Sequence, residues 1–142
     1  MKEDMMATKQ DKTFDIELDD MAWRQRLDAQ AYMVLRQHST ERAHTSPLNK
    51  EKRPGRFLCA GCGSALFDAA TKYESGSGWP SFWAPLEQAV GTTEDRSFFM
   101  RRVEVHCAKC GGHLGHVFND GPQPTGERYC MNGAALKFEP KE

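Results

Sequence analysis

Apolar residues fall at helical spacing near the N-terminus and in strand-like alternation over much of the rest. Trp23, Leu27, Ala31 and Leu35 recur every fourth position with Tyr32 beside them, which predicts one or two short amphipathic helices. The acidic pair Asp19–Asp20 suits a helix starting near Met21, and Asp28 is a second candidate N-cap. Trp23 at that spacing reads as core, not as part of a cofactor site. Residues 1–16 read as a disordered tail, its last positions an extended arm or nothing regular, and residues 17–142 as one domain. Residues 39–55 are loop by composition, and His44 among them reads as a solvated surface residue.

The stretch RFLCAGCGSALF is a short apolar strand, a tight turn with Gly61 and Gly63, and a second apolar run. YESGSGWPSFW is turn-rich, with Trp79, Phe82 and Trp83 around Pro80; Phe82 and Trp83 read as loop residues packed on the core. In SFFMRRVEVHC, Phe99, Val103 and Val105 share one face and Arg102, Glu104 and His106 the other, the pattern of a half-buried strand. Last, a proline- and glycine-rich loop from Gly121 leads into a strand on which Cys130 and Asn132 lie on one face.

Composition narrows the class. At 142 residues the chain can bury roughly two-thirds of its unfolded surface, enough for a single-domain core. A net charge of -1 supplies no field for nucleic acid or anionic membrane, and no apolar run approaches a membrane span. The N-terminus lacks the apolar stretch of a secretory signal, which points to the cytoplasm. In a reducing compartment, cysteines serve as thiols or metal ligands more readily than as disulfides.

Four of the cysteines form two Cys-x-x-Cys pairs, Cys59/Cys62 and Cys107/Cys110. Each pair bites one edge of a tetrahedron, and four thiolates with no open position describe one structural Zn2+ per chain. Iron in a rubredoxin-like site is the chemical alternative. Metal binding of this kind adds on the order of 10 kcal/mol to folding. A closed four-sulfur site holds no catalytic water, so chemistry must lie elsewhere.

Cys130 is the thiol left over. It reads either as a nucleophile or as a buried free cysteine. Upstream lie His113 and His116, then Asp120, and Arg128 is two residues before Cys130. On an unbroken strand the two histidines would face opposite sides; Gly115 between them permits a bulge, so their convergence stays open.

Together GWPSF, CGGHLGHVFNDGPQPTGERYCMNGAALKF and the paired knuckles closely resemble the methionine-R-sulfoxide reductases, over roughly Trp23 to Phe138. The resemblance implies a mainly β (α+β) fold: two antiparallel β-sheets, short N-terminal helices, and a zinc site joining the two knuckle turns. It also implies roles. Cys130 matches the catalytic cysteine, Trp79 the residue receiving the substrate methyl group, and His113, His116 and Asn132 the polar active-site residues, with Asp120 and Arg128 as supports on the substrate side. The implied reaction reduces protein-bound methionine-R-sulfoxide and leaves a sulfenic acid on Cys130. His116 is the choice for the acid and His113 for its orienting partner; Asn132 would hydrogen-bond water or oxygen beside the thiolate.

One position departs from the pattern. Many relatives read GCGWPSF, the cysteine resolving the sulfenic acid, whereas this chain has Ser77 there. Recycling must then come from an external thiol: thioredoxin, or glutathione with glutaredoxin. The resemblance carries the expectation of a monomer. Two rivals stand beside it: a non-catalytic zinc-knuckle β-fold binding module, and a zinc-ribbon nucleic-acid module, which would want a basic stripe.

Overall fold

Two aspartates start the helices. In the computed structural model, which describes residues 14–96 and 101–141, Asp19 accepts a hydrogen bond from Ala22 N–H at 2.9 Å and opens α1 (Asp20–Arg26). Asp28 accepts from Ala31 N–H at 2.8 Å and opens α2 (Ala29–Gln37), so the predicted stretch is two helices. Such caps contribute about 1 kcal/mol each. The buried face comprises Trp23, Ala31, Tyr32, Val34 and Leu35, with Leu27 partly buried. Most of residues 1–16, and Phe99, lie outside the described residues.

Among the described residues the strands form two antiparallel sheets, as the resemblance implied. The smaller joins β1 (Gly55–Cys59), β2 (Ala65–Asp68) and β9 (Leu136–Pro140), in the order β2-β1-β9. The larger joins β3 (Lys72–Tyr73), β4 (Ser81–Phe82), β5 (Val90–Asp95), β6 (Arg102–Cys107), β7 (His113–Phe118) and β8 (Arg128–Met131), in the order β3-β4-β8-β7-β6-β5. Aromatic rings join the sheets: Phe67 of β2 stacks on Phe82 of β4 with centroids 4.2 Å apart, and Phe57 of β1 meets Phe82 edge-on at 5.1 Å. Phe82 is thus a fully buried strand residue, not the packed loop residue expected; Trp83 is half-buried.

The helices rest on the two knuckle turns. A Cβ at Gly61 would lie 3.3 Å from the Trp23 ring, and one at Gly112 only 2.8 Å from the Leu35 side chain. Arg26 donates to the Gly61 carbonyl at 2.7 Å and Arg36 to the Cys110 carbonyl at 3.0 Å. The arm just before α1 reaches the second knuckle as well. Ile16 N–H donates to the Lys109 carbonyl at 2.9 Å, and Phe14 meets His106 edge-on at 5.7 Å. Residues 14–16, grouped with the tail as an extended arm or nothing regular, therefore dock on the second knuckle.

β6 departs from the expected half-buried strand. Its polar face is buried too, with Glu104 and His106 each 8% exposed. Phe14 covers His106, and the carboxylate and imidazoles satisfy one another. Alternation reports two faces but not whether something covers the polar one. His44 is exposed, as expected. Among the described residues, no helix is long and apolar enough to cross a membrane.

Candidate active site

Sulfur geometry at the knuckles fits a tetrahedral metal. The four Sγ atoms of Cys59, Cys62, Cys107 and Cys110 lie within 4.8 Å of one another. Cys59–Cys110 is 3.7 Å and Cys62–Cys107 is 3.6 Å. The edge of a tetrahedron with zinc–sulfur bonds of ~2.3 Å is about 3.8 Å. The two turns match: Gly63 N–H donates to Cys59 O at 2.8 Å, and Gly111 N–H to Cys107 O at 2.9 Å. Both glycines have positive φ, 84° and 75°, which a side chain would strain. Ser64 Oγ lies 3.4 Å from both Cys62 and Cys107 Sγ, so its one proton can serve one of the two thiolates at a time.

The second site is a row of side chains across the larger sheet. Register pairs Tyr73 with Ser81, Ser81 with Cys130, Cys130 with His116, and His116 with Glu104. Directly opposed residues share a face, so these five point the same way. His113 joins them through a bulge. Val105 pairs with Gly115 but His106 pairs with His113, leaving Leu114 as the extra residue. The two histidine rings then meet edge-on at 5.5 Å. Gly115 is needed there, because a Cβ would sit 2.1 Å from the Cys130 carbonyl.

His113 is 2% exposed and its Nδ1–H donates to Glu104 Oε2 at 2.9 Å. His106 Nδ1–H donates to the other oxygen at 3.1 Å. Burial pushes the Glu104 carboxyl up, but hydrogen bonds and charge from His106 and His113 outweigh it and hold the group at about 2. An ionised carboxylate only accepts, so His113 keeps its proton on Nδ1 and turns Nε2 away from Glu104. His116 is half-buried and faces a cavity of about 130 Å³, lined also by Thr40, Trp79, Arg102, Phe118, Cys130 and Asn132. At the half-buried Cys130, burial holds the thiol above its ordinary value, and the Ser77 hydroxyl and the Arg128 guanidinium only partly offset it.

Comparison with known proteins gives the family. The SelR domain matches residues 27–140. The peptide methionine sulfoxide reductase MsrB of Leptospira interrogans is 51% identical over 127 residues, covering 89% of this chain and 97% of the relative. That of Methylibium petroleiphilum is 46% identical, covering 96% of this chain and 100% of the relative. The chain belongs to the methionine-R-sulfoxide reductase (MsrB) family. A crystal structure of the Mis18 'Yippee-like' domain aligns with a TM-score of 0.51 at 20% identity, covering 63% of this chain and 99% of that one, a likeness of fold alone.

With the chain placed among the MsrB proteins, the remaining site residues sort by what they touch. Trp79 is half-buried on the cavity wall, its indole N–H donating to the Glu41 carbonyl at 3.0 Å. Asn132 is 3% exposed. Its Nδ2 donates to Leu114 O at 2.9 Å and its Oδ1 accepts from Glu41 N–H at 2.9 Å. It therefore ties the end of β8 to β7 and to the loop after α2, and it also lines the cavity beside Cys130. Asp120 is exposed and grips Arg128 at 2.9 and 3.2 Å, and Arg128 lies 4.4 Å over the Phe118 ring. Neither lines that cavity; the Arg128 guanidinium, paired with Asp120, favours the charged form of Cys130 electrostatically.

Two residues escaped the sequence reading. Glu41 sits in what composition marked as loop, yet it is 6% exposed and its carboxylate accepts from Gly133 N–H at 2.7 Å and Ala134 N–H at 2.9 Å. Nothing local in STERAH signals that. Glu104 did carry a signal: a glutamate two positions before a histidine, on a strand leading into a metal knuckle.

Proposed function

We propose that the chain reduces methionine-R-sulfoxide in proteins, with Cys130 as nucleophile and His116 as acid. The observation that carries this is the row: Cys130 and His116 directly opposed across β7 and β8, opening onto one cavity with Trp79 on its wall. An unperturbed thiol is only about 3% ionised at pH 7; burial raises the Cys130 thiol further, and Ser77 and Arg128 work against that rise in favour of the thiolate. The thiolate attacks the sulfoxide sulfur while His116 delivers a proton to the oxygen. The hydroxyl then passes from the methionine sulfur to the Cys130 sulfur as the bond between the two sulfurs breaks, so methionine leaves reduced and Cys130 is oxidised to a sulfenic acid. The Trp79 indole offers the substrate methyl group an apolar wall, which selects one epimer at a chiral sulfur. His113, held by Glu104, orients the His116 ring.

At the knuckles, Cys59, Cys62, Cys107 and Cys110 would hold zinc. Bound there, the ion supplies no chemistry to the reaction; it clamps β1 and β2 to β6 and β7, and so supports the sheet carrying Cys130. An external thiol attacks the sulfenic sulfur, water leaves, and a second thiol releases Cys130 from the mixed disulfide. Thioredoxin, or glutathione with glutaredoxin, fits this demand, as does a reducing cytoplasm.

Separated epimers of a methionine sulfoxide peptide test the proposal. Turnover of R with a dithiol reductant, and near silence on S, is expected. Equal rates on both epimers would sink it. Without reductant, one equivalent of R-sulfoxide is expected to add one oxygen to the intact mass, trappable with dimedone at Cys130; a loss of two hydrogens would show an internal disulfide instead.

A further inference from the structure

The position that carries a resolving cysteine in many relatives is not inert here. Ser77 Oγ lies 3.8 Å from Cys130 Sγ. Behind it runs a chain of hydroxyls: Ser77 Oγ to Ser75 Oγ is 2.8 Å, and Ser75 Oγ to Ser81 Oγ is 2.7 Å. Ser81, the cross-strand partner of Cys130, is 1% exposed.

Counting donors and lone pairs limits how the protons run. Each hydroxyl has one proton and accepts twice. Ser77 N–H donates to Ser75 Oγ at 3.2 Å, and Trp79 N–H to Ser77 Oγ at 3.4 Å, using one lone pair on each oxygen. Two orders remain. In the outward order Ser77 donates to Ser75, Ser75 to Ser81, and Ser81 to the Trp79 carbonyl at 3.1 Å, leaving a Ser77 lone pair toward the sulfur. In the inward order Ser81 donates to Ser75, Ser75 to Ser77, and Ser77 to the sulfur. The first suits a thiol, whose S–H can donate to Ser77; the second suits a thiolate, which can only accept. The Trp79 carbonyl, 3.4 Å from Ser77 Oγ, is the competing acceptor for the last proton.

We propose that Ser77 is a catalytic residue whose hydroxyl stabilises the Cys130 thiolate, with Ser75 and Ser81 as positioning residues that turn its proton toward the sulfur. Consecutive hydroxyls polarise one another, so a chain ending on a charge holds it better than a lone serine. Burial pushes the Cys130 thiol up, and the Ser77 hydrogen bond is among the influences that pull it down. The other groups facing Cys130 are Arg128 on its own strand, His116 on β7, Arg102 on β6, Tyr73 on β3 and Glu41 from the loop after α2. The inference rests on Cys130 being the nucleophile of the proposed reaction, but its test does not require turnover.

The experiment follows alkylation of Cys130 by iodoacetamide against pH, read by peptide mass spectrometry on the metal-loaded full chain. Ser77→Ala is expected to move the midpoint up by about one unit, a roughly tenfold slower reaction at neutral pH. Ser77→Thr keeps a hydroxyl and is expected to restore the parent midpoint. Ser75→Ala is expected to shift it the same way by less, with an unchanged thermal transition. A Ser77→Ala midpoint equal to the parent's, or a Ser77→Thr midpoint equal to that of Ser77→Ala, would overturn the proposal. If Ser77→Ala does not fold, the Ser75→Ala shift decides, and no shift there would overturn it too. A parent chain inactive on R-sulfoxide but showing these shifts would reject the proposed reaction and leave the serine chain standing.

Discussion

Replacing Glu41 with alanine should unfold the site from behind. Its carboxylate is 6% exposed and takes two backbone N–H groups, Gly133 at 2.7 Å and Ala134 at 2.9 Å. These donors begin the 3-10 turn Gly133–Ala135 that follows Cys130 and Asn132. The turn has no capping hydrogen bond from its own N-cap side chain, so Glu41 supplies the acceptors from 92 and 93 positions away. A buried N–H left without a partner costs about 1–3 kcal/mol. With Gly133 buried and Ala134 half-buried, the two losses give roughly 3–4 kcal/mol, a large share of a typical folding free energy. At this chain length about 1 kcal/mol moves Tm by roughly 3–5 °C, so Glu41→Ala should melt on the order of 10–20 °C lower. Glu41→Gln separates hydrogen bonding from volume. Its single oxygen serves one N–H and its amide turns a donor against the other, so about half the loss is expected. The assay is a thermal melt of metal-loaded protein beside the R-sulfoxide rate below each transition. A Glu41→Ala Tm within about 2 °C of the parent would refute the reasoning, because both donors would then have found other acceptors.

Cys107→Ser should release metal and folded structure together, since three ligands leave one knuckle unclamped; retained thermal transition and activity in metal-free protein would contradict this. His116→Ala should slow sulfoxide reduction in a single turnover by roughly two to four orders of magnitude with the melt preserved; a larger loss in His113→Ala would reverse their roles. Glu104→Gln tests the buried carboxylate by pH. Its folded value, held at about 2, lies below the ordinary 4.5, so its contribution is full above pH 4.5 and is lost as pH falls toward 2. That contribution is roughly 3 kcal/mol, so denaturant melts should show the parent's advantage over Glu104→Gln at pH 7 shrinking across that window. An advantage independent of pH would refute the ionised pair.

How much of this was legible beforehand depends on the range of the interactions involved. The helices were readable because both their caps and their apolar stripe are local, as Asp19, Asp28 and the Trp23–Leu35 series demonstrate. The four-sulfur cluster was readable because each cysteine pair is set by a four-residue turn, leaving only the meeting of two turns to the fold. Cys130 stood out by its count and by the resemblance. Long-range decisions were invisible. Whether His113 and His116 converge depended on the extra residue between paired strands, and Gly115 permitted that bulge without requiring it. The polar face of β6 looked exposed because alternation says nothing about what later covers it. Glu41 looked like any loop glutamate, since its acceptors' partners lie some ninety residues on. Local sequence sets what a segment can form and which side chains it offers; only tertiary structure decides which buried donors and acceptors must find each other, because that cost arises when water is excluded.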